Sequence, residues 1–256
     1  MDPMVAWFED EDFWAATYPI IFPEERFVVA EEQVEKILKL VGFRPEAVLD
    51  LACGPGRHAV ALARRGIKVT AIDLTEFLLC KARERATQAG VEVEFVREDM
   101  RRFVRPGAFD LALSMFSSFG YFGDKREDLR VLQNLRENLK PGGACLIDVP
   151  GKEMLGRQAQ SARVVKEPDG TLFVEWSEIL DDWTRVRTEW ILIKDGQARA
   201  FRFQLMIYSG QELKELLRQA EFAEVTLFGD LDGNRYGPRA DRLIALGKRR
   251  AKGETA

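Results

Sequence analysis

The stretch AVLDLACGPGRH, residues 47–58, decides the fold. Ala47 to Leu51 is a short apolar run of β type, and Ala52-Cys53-Gly54-Pro55-Gly56 is a turn of small residues. A strand that ends in a glycine turn and enters a helix is where a doubly wound sheet brings a ligand against backbone N–H groups, because only small residues let it approach. About twenty residues further on, Asp73 closes the run Val69 to Ile72, where a carboxylate can accept hydrogen bonds from both hydroxyls of a ribose. Gly54, Gly56 and Asp73 together predict an adenosine-containing ligand.

Outward from this turn the chain alternates between two periods. Upstream, Val34, Ile37, Leu38 and Val41 are spaced as the apolar stripe of a helix over Val29 to Val41, which Pro45 stops. Downstream come a helix from about Glu76, the run Val91 to Val96, the run Phe109 to Met115, a helix carrying Leu129, Leu132, Leu135 and Leu139, and the run Ala144 to Val149. Such alternation means a parallel sheet covered by helices on both faces. Between Gly151 and Tyr208 the turn signals Pro168-Asp169-Gly170 and Asp195-Gly196 separate the runs Thr171 to Ile179 and Arg185 to Ile193, which predicts an antiparallel insert. The helical period returns at Leu213, Leu216, Leu217 and Ala220, and the runs Ala223 to Phe228 and Arg242 to Leu246 complete the sheet. Lys248 to Ala256 reads as a polar end.

Counting removes several functions. The 256 residues, 46% hydrophobic and 31% charged, describe a globular chain with a full core. A net charge of −4 speaks against a nucleic-acid partner. No stretch approaches the roughly 18 apolar residues of a spanning helix, and the acidic opening is unlike a secretory leader, so no membrane contact and a cytoplasmic location are expected. Cys53, Cys80 and Cys145 lack CxxC spacing, and His58 is the single histidine, which leaves neither a disulfide framework nor a metal site to expect. His58 lies in the first turn of a helix, where packing accounts for it better than acid–base work.

Beyond these residues, the chain resembles the class I S-adenosylmethionine-dependent methyltransferases of the small-molecule type. VLDLACGPGRHAVALARRG is similar to that family's first motif, VTAIDLT to the second, FVREDMRRF to the third, FDLALSMFSSFGYF to the fourth, and LKPGGACLIDV to the segment entering the fifth strand. YSGQELKELLRQAEFAEVTLFGDLDG resembles its closing helix and strand. Two departures stand out: Ala52 replaces the commoner glycine of the first motif, and Glu221 stands where many relatives have a helix-ending glycine.

The resemblance implies one α/β domain over 1–256 with a mostly parallel, seven-stranded Rossmann-like sheet. Residues 1–45 would form a helical cap, 46–150 and 209–248 the core, and 151–208 an antiparallel insert after the fifth strand. It implies S-adenosylmethionine as cofactor, with Ala52, Gly54 and Gly56 against its methionine part and Asp50 ordering the turn or the ammonium. Asp73 would hold the ribose, Leu74 pack on the adenine, Asp99 accept from the adenine amino group, and the Met100 N–H reach a ring nitrogen. Ser114 and Met115 would meet the ammonium or the reacting centre, and Arg26 would pair with the cofactor carboxylate through its planar fork.

The activity so implied is in-line methyl transfer to a small-molecule acceptor, with nitrogen favoured over oxygen or carbon because no obvious histidine base is present. Tyr18, Tyr121, Arg202 and Tyr208 are the acceptor-pocket candidates. The aromatic opening, Trp7 to Phe22, is too apolar for a free tail and is expected to close over the cleft with the insert; the insert would equally serve as a homodimer surface. Two other readings stay open, an NAD(P)-dependent oxidoreductase, which would want a third glycine at Ala59, and a non-catalytic cofactor-binding module.

Overall fold

The computed structural model describes residues 6–157 and 162–253, so the end of the polar tail, 254–256, lies outside the described residues. The chain opens with a 3₁₀ turn, Trp7–Glu9, followed by α1 (Glu11–Ile21) and α2 (Glu24–Val41). The core then runs β1 (Ala47–Leu51), α3 (Arg57–Ala63), β2 (Lys68–Asp73), α4 (Glu76–Ala89), β3 (Glu94–Arg97), β4 (Phe109–Ser114), α5 (Lys125–Asn138) and β5 (Leu139–Val149). After the short α6 (Lys152–Leu155) come the insert strands β6 (Arg163–Lys166), β7 (Leu172–Leu180), β8 (Arg185–Lys194) and β9 (Gln197–Met206). The core resumes with α7 (Gly210–Gln219), β10 (Glu224–Phe228) and β11 (Leu243–Lys248).

Seven strands form one sheet in the order β10-β11-β5-β4-β1-β2-β3, and β11 alone runs antiparallel to both its neighbours. Both faces are covered, so its central strands are apolar throughout instead of alternating. Within β1, Val48 packs with Val34, Ile37 and Leu62 on one side, whereas Leu49 and Leu51 join Leu132, Leu135 and Leu217 on the other. Reversal of strand order between β1 and β4 opens a crevice at their carboxyl ends, where such sheets bind ligands.

The insert is a separate four-stranded antiparallel sheet, β6-β7-β8-β9. Its base is fastened by a bridge between Gly151 and Tyr208 and by the Met206 N–H donating to the Gly120 carbonyl at 2.7 Å. At the other end of the chain, the aromatic opening is helical. Asp10 caps α1 by accepting the Asp12 and Phe13 amides at 2.9 and 3.3 Å. This cap and aromatic burial overcome Pro19, which removes a hydrogen bond inside the helix. Glu11 then reaches across and accepts the Glu76 and Phe77 amides at the start of α4, both at 2.9 Å, tying the cap to the core.

Candidate active site

The turn after β1 is held in a conformation that its side chains resist. Ala52, Gly54 and Gly56 all have positive φ, at 54°, 56° and 76°. A Cβ on Gly56 would meet the Ala82 Cβ at 2.9 Å, so close packing of α4 demands glycine there. Ala52 keeps the left-handed conformation without glycine's freedom, and so does Glu221 with φ 63°. The two departures from the family pattern thus fall where glycine would be unstrained.

The turn is tied to β2. The Gly54 amide donates to Asp73 Oδ2 at 2.9 Å, while Asp73 Oδ1 accepts the Thr75 amide and hydroxyl at 3.0 and 2.9 Å. A carboxylate has about four acceptor positions, so capacity remains for ligand hydroxyls. Burial raises the pKa of Asp73, and the amides that it accepts act against this. Asp50, at the end of β1, is buried and its Oδ2 has no partner. Burial pushes it up to about 7, offset in part by the Arg57 charge. A buried orphaned carboxylate oxygen at this place suits an arriving ammonium.

These residues open into a cavity of about 870 Å³. Its cofactor end is lined by Asp50, Ala52, Gly54, Asp73, Leu74 and Met100. Asp99 and Met115 lie there too; Arg101 forks onto Asp99, its Nε at 3.1 and 2.9 Å from the two carboxylate oxygens. Arg26 stands at the rim on α2, exposed and with its pKa lowered by burial and by the neighbouring Arg163 charge. Gly56 and Ser114 do not line the cavity: Gly56 is pressed against α4, and Ser114 is fully buried in β4. Both lie behind the wall.

The other end is walled by the insert. Residues two apart face inward on each strand: Glu175, Ser177 and Ile179 on β7, Val186, Thr188 and Trp190 on β8, Phe203 and Leu205 on β9. The aromatic opening closes against this sheet, with Phe13 stacked on Trp190 at 5.7 Å and Trp7 stacked on Phe203 at 4.8 Å. Trp7 presents a buried indole N–H without an acceptor.

Of the four acceptor-pocket candidates, Tyr121 lines the cavity and three do not. Arg202 pairs opposite Glu189 on the outer face, because an even-numbered position in β9 points away from the wall that Phe203 and Leu205 build. Tyr208 is buried beneath the insert, where its hydroxyl donates to Asp128. Tyr18 is turned onto Phe22 and Phe77 at 5.5 and 5.6 Å. His58 is held in packing: it contacts Gln33 Oε1 at 3.0 Å, stacks on Phe116, and burial drives its pKa well below the usual value.

Sequence reasoning missed Arg57, Arg163 and the inward alternation of the insert strands. Arg57 had one visible signal, a cation at the first position of a helix, where the dipole disfavours it. Among the described residues no helix is long and apolar enough to cross a membrane, and no cluster of three histidine, cysteine or acidic side chains could hold a metal.

Fold and site together define the class I methyltransferase architecture. Residues 48–143 match the family described as methyltransferase domain. A protein of Geobacillus sp. (strain WCH70), whose name places it among the methyltransferases, is 30% identical over 143 residues, covering 56% of this chain and 57% of that protein. The dTDP-3-amino-3,4,6-trideoxy-alpha-D-glucopyranose N,N-dimethyltransferase of Streptomyces venezuelae is 33% identical over 41% of this chain and 43% of its own. Among solved structures, an S-adenosylmethionine-dependent methyltransferase from Clostridium acetobutylicum ATCC 824 superposes with a TM-score of 0.77 at 15% identity, covering 94% of this chain and 98% of that one. The chain spans about half the length of the curated relatives it matches. Residues 48–143 thus carry a methyltransferase domain in a chain similar to the S-adenosylmethionine-dependent methyltransferases, and the orphaned Asp50 oxygen, the spare acceptor positions of Asp73 and the close-packed glycine turn fit that cofactor.

Proposed function

We propose that the protein transfers a methyl group from S-adenosylmethionine to the nitrogen of a small-molecule acceptor. The observation that carries this reading is the junction of Asp50, Gly54 and Asp73 at one end of a cavity whose other end belongs to the cap and the insert. When bound, the cofactor supplies a methyl group already activated on a sulfonium. Asp73 holds the ribose hydroxyls, Asp50 the ammonium, Arg26 the carboxylate, and Leu74, Asp99 and Met100 the adenine.

Little else is asked of the side chains. Holding an acceptor nitrogen about 3 to 3.5 Å from the methyl carbon provides much of the rate. The cap and insert exclude water from that position. A hydroxyl or carbon acceptor would want a base, yet the polar groups at this end are engaged: His58 with Gln33, Glu175 with the Trp190 indole at 3.1 Å, and Asp148 with Arg242 at 2.6 Å. An amine needs only to arrive neutral. The similarity to an N,N-dimethyltransferase supports nitrogen as the acceptor atom.

Calorimetric titration with S-adenosylmethionine, S-adenosylhomocysteine and NADH is the test. Micromolar binding of the two adenosyl sulfur ligands without NADH binding, followed by turnover of an amine panel, is the expected result. NADH binding alone would move the protein to the oxidoreductases. Cofactor binding with no turnover of any acceptor class would leave a binding module.

A further inference from the structure

The acceptor end of the cavity carries more positive charge than its carboxylates balance. Three guanidiniums line the cavity, those of Arg26, Arg57 and Arg163, and Arg242 stands behind them; Arg163 depresses Arg26, and Arg26 and Arg242 depress Arg57. Three carboxylates face them, and Asp50, which burial holds up to about 7, lies near enough to Arg57 for each charge to shift the other without a hydrogen bond between them. Asp148 is committed to Arg242 at 2.6 Å, and Glu175 lies 3.9 Å from Arg163 while also accepting the Trp190 indole.

Arg57 is the group without an answer. It is 8% exposed, lines the cavity, and among the described residues makes no ion pair and no side-chain hydrogen bond. Its guanidinium lies 3.8 Å over the Phe116 ring, which leaves all its N–H donors unspent. Burial and the neighbouring Arg26 charge pull its pKa down to about 10, so it is still a cation at neutral pH. Phe116 opens the loop after β4, where it and Ser117 hold left-handed backbone with φ of 55° and 71°. Phe116 and Ser117 are fixed there by amide hydrogen bonds to Asp148, at 3.2 Å to its carboxylate and 2.9 Å to its carbonyl. Arg57 therefore sits on a rigid platform facing space that no protein group fills. A buried guanidinium with spare donors is the form of site that takes an oxyanion.

We propose that Arg57, with Arg163 beside Glu175 at the rim, is an anion subsite for the methyl acceptor, which therefore carries a carboxylate or comparable oxyanion on an apolar body. Ile179, Val186, Trp190 and Phe203 supply the surface for that body. This rests on the methyltransferase reading above, in which Arg26 receives the carboxylate of the cofactor. One cofactor carboxylate cannot satisfy both Arg26 and Arg57, and the surplus selects an anionic acceptor over a neutral or cationic one.

The experiment is calorimetry on protein first saturated with S-adenosylhomocysteine, then titrated with benzoate or with benzamide, its neutral isostere. Benzoate is expected to bind at least tenfold more tightly than benzamide. Arg57→Gln should abolish that preference, Arg57→Lys should keep part of it, and Arg163→Gln, at an exposed position, should reduce it several-fold. Affinity of Arg57→Gln for S-adenosylhomocysteine should stay within threefold of the parent. Equal binding of the two probes, or binding of neither, overturns the subsite. A tenfold loss of S-adenosylhomocysteine affinity in Arg57→Gln, with 5′-methylthioadenosine unaffected, overturns it differently by giving Arg57 to the cofactor carboxylate. Failure of the parent to bind S-adenosylhomocysteine fells the methyltransferase reading itself and shows in the first titration.

Discussion

The Asp73 carboxylate holds the Gly54 amide at 2.9 Å, so the group assigned to the ribose also fixes the turn assigned to the methionine part. Loss of its charge-assisted bonds, each about 1.5–3 kcal/mol, should weaken S-adenosylhomocysteine at least tenfold in Asp73→Ala. Asp73→Asn preserves the shape but turns one acceptor into a donor that confronts the Gly54 or Thr75 amide. It should therefore bind no better than the alanine variant. Titration of both proteins checks this, and wild-type affinity in Asp73→Asn would remove Asp73 from ribose binding.

Asp50 should make cofactor affinity depend on pH. In the free protein, burial raises its pKa to about 7, so below that value the group is largely neutral. An ammonium beside it favours the ionised form, and binding must expel a proton at lower pH. Affinity for S-adenosylhomocysteine should fall as pH drops from 7.5 to 5.5, by up to about tenfold per unit. Asp50→Asn should bind more weakly at pH 7.5 and lose this slope. Identical slopes in the two proteins would separate Asp50 from the ammonium.

Much of this site was legible because it lies at strand ends. Asp50, Asp73 and the glycine turn are fixed by where β1 and β2 stop, and apolar runs mark those stops well. The acceptor end was not legible for a geometric reason. In β9, Arg202 and Phe203 are neighbours in sequence yet face opposite ways, and only the register against β8 decides which of them meets the ligand. Arg57 was visible as a residue but not as an unpaired one, since pairing depends on side chains from β1, α2, β5 and the segment before β11 that converge only in three dimensions. Tyr208 failed for the same cause: its partner Asp128 lies 80 positions away, on α5.

Glu221 offers a stability test remote from the site. Its φ of 63° costs about 1 kcal/mol or more relative to glycine, while its ion pair with Arg136 at 2.9 Å is largely exposed and adds little. Glu221→Gly should raise the melting midpoint by roughly 2–4 °C with cofactor affinity unchanged. A lower midpoint would show that the Arg136 pair outweighs the backbone strain.

Phe203 joins the cap to the insert through Trp7, Phe13 and Trp190, with ring centroids 4.8, 5.8 and 4.9 Å away. Truncation to alanine should cost about 3 kcal/mol, and the loss should concentrate in the cap because the main sheet does not touch this cluster. Limited proteolysis of Phe203→Ala should cut before residue 28 faster than in the parent, and S-adenosylhomocysteine should slow cleavage in both. Unchanged cleavage would mean that the Glu11 contact with the start of α4 suffices to hold the cap.

Asp128 and Tyr208 give stability its own pH dependence beneath the insert. Asp128 is fully buried, accepts the Tyr208 hydroxyl, and keeps one oxygen without a partner. Burial raises its pKa to about 6, whereas in the unfolded chain an aspartate titrates near 3.9. Between about pH 4 and 6 the folded protein therefore holds a proton that the unfolded chain has released. Stability from this group is complete below pH 4 and falls as pH rises through 6, by about 3 kcal/mol in all. Asp128→Asn keeps an acceptor for Tyr208 and removes the titration, so its midpoint should match the parent at pH 4.5 and exceed it at pH 7.5. Thermal melts across that range decide the matter, and a constant difference between the two proteins would show that Asp128 stays ionised when folded.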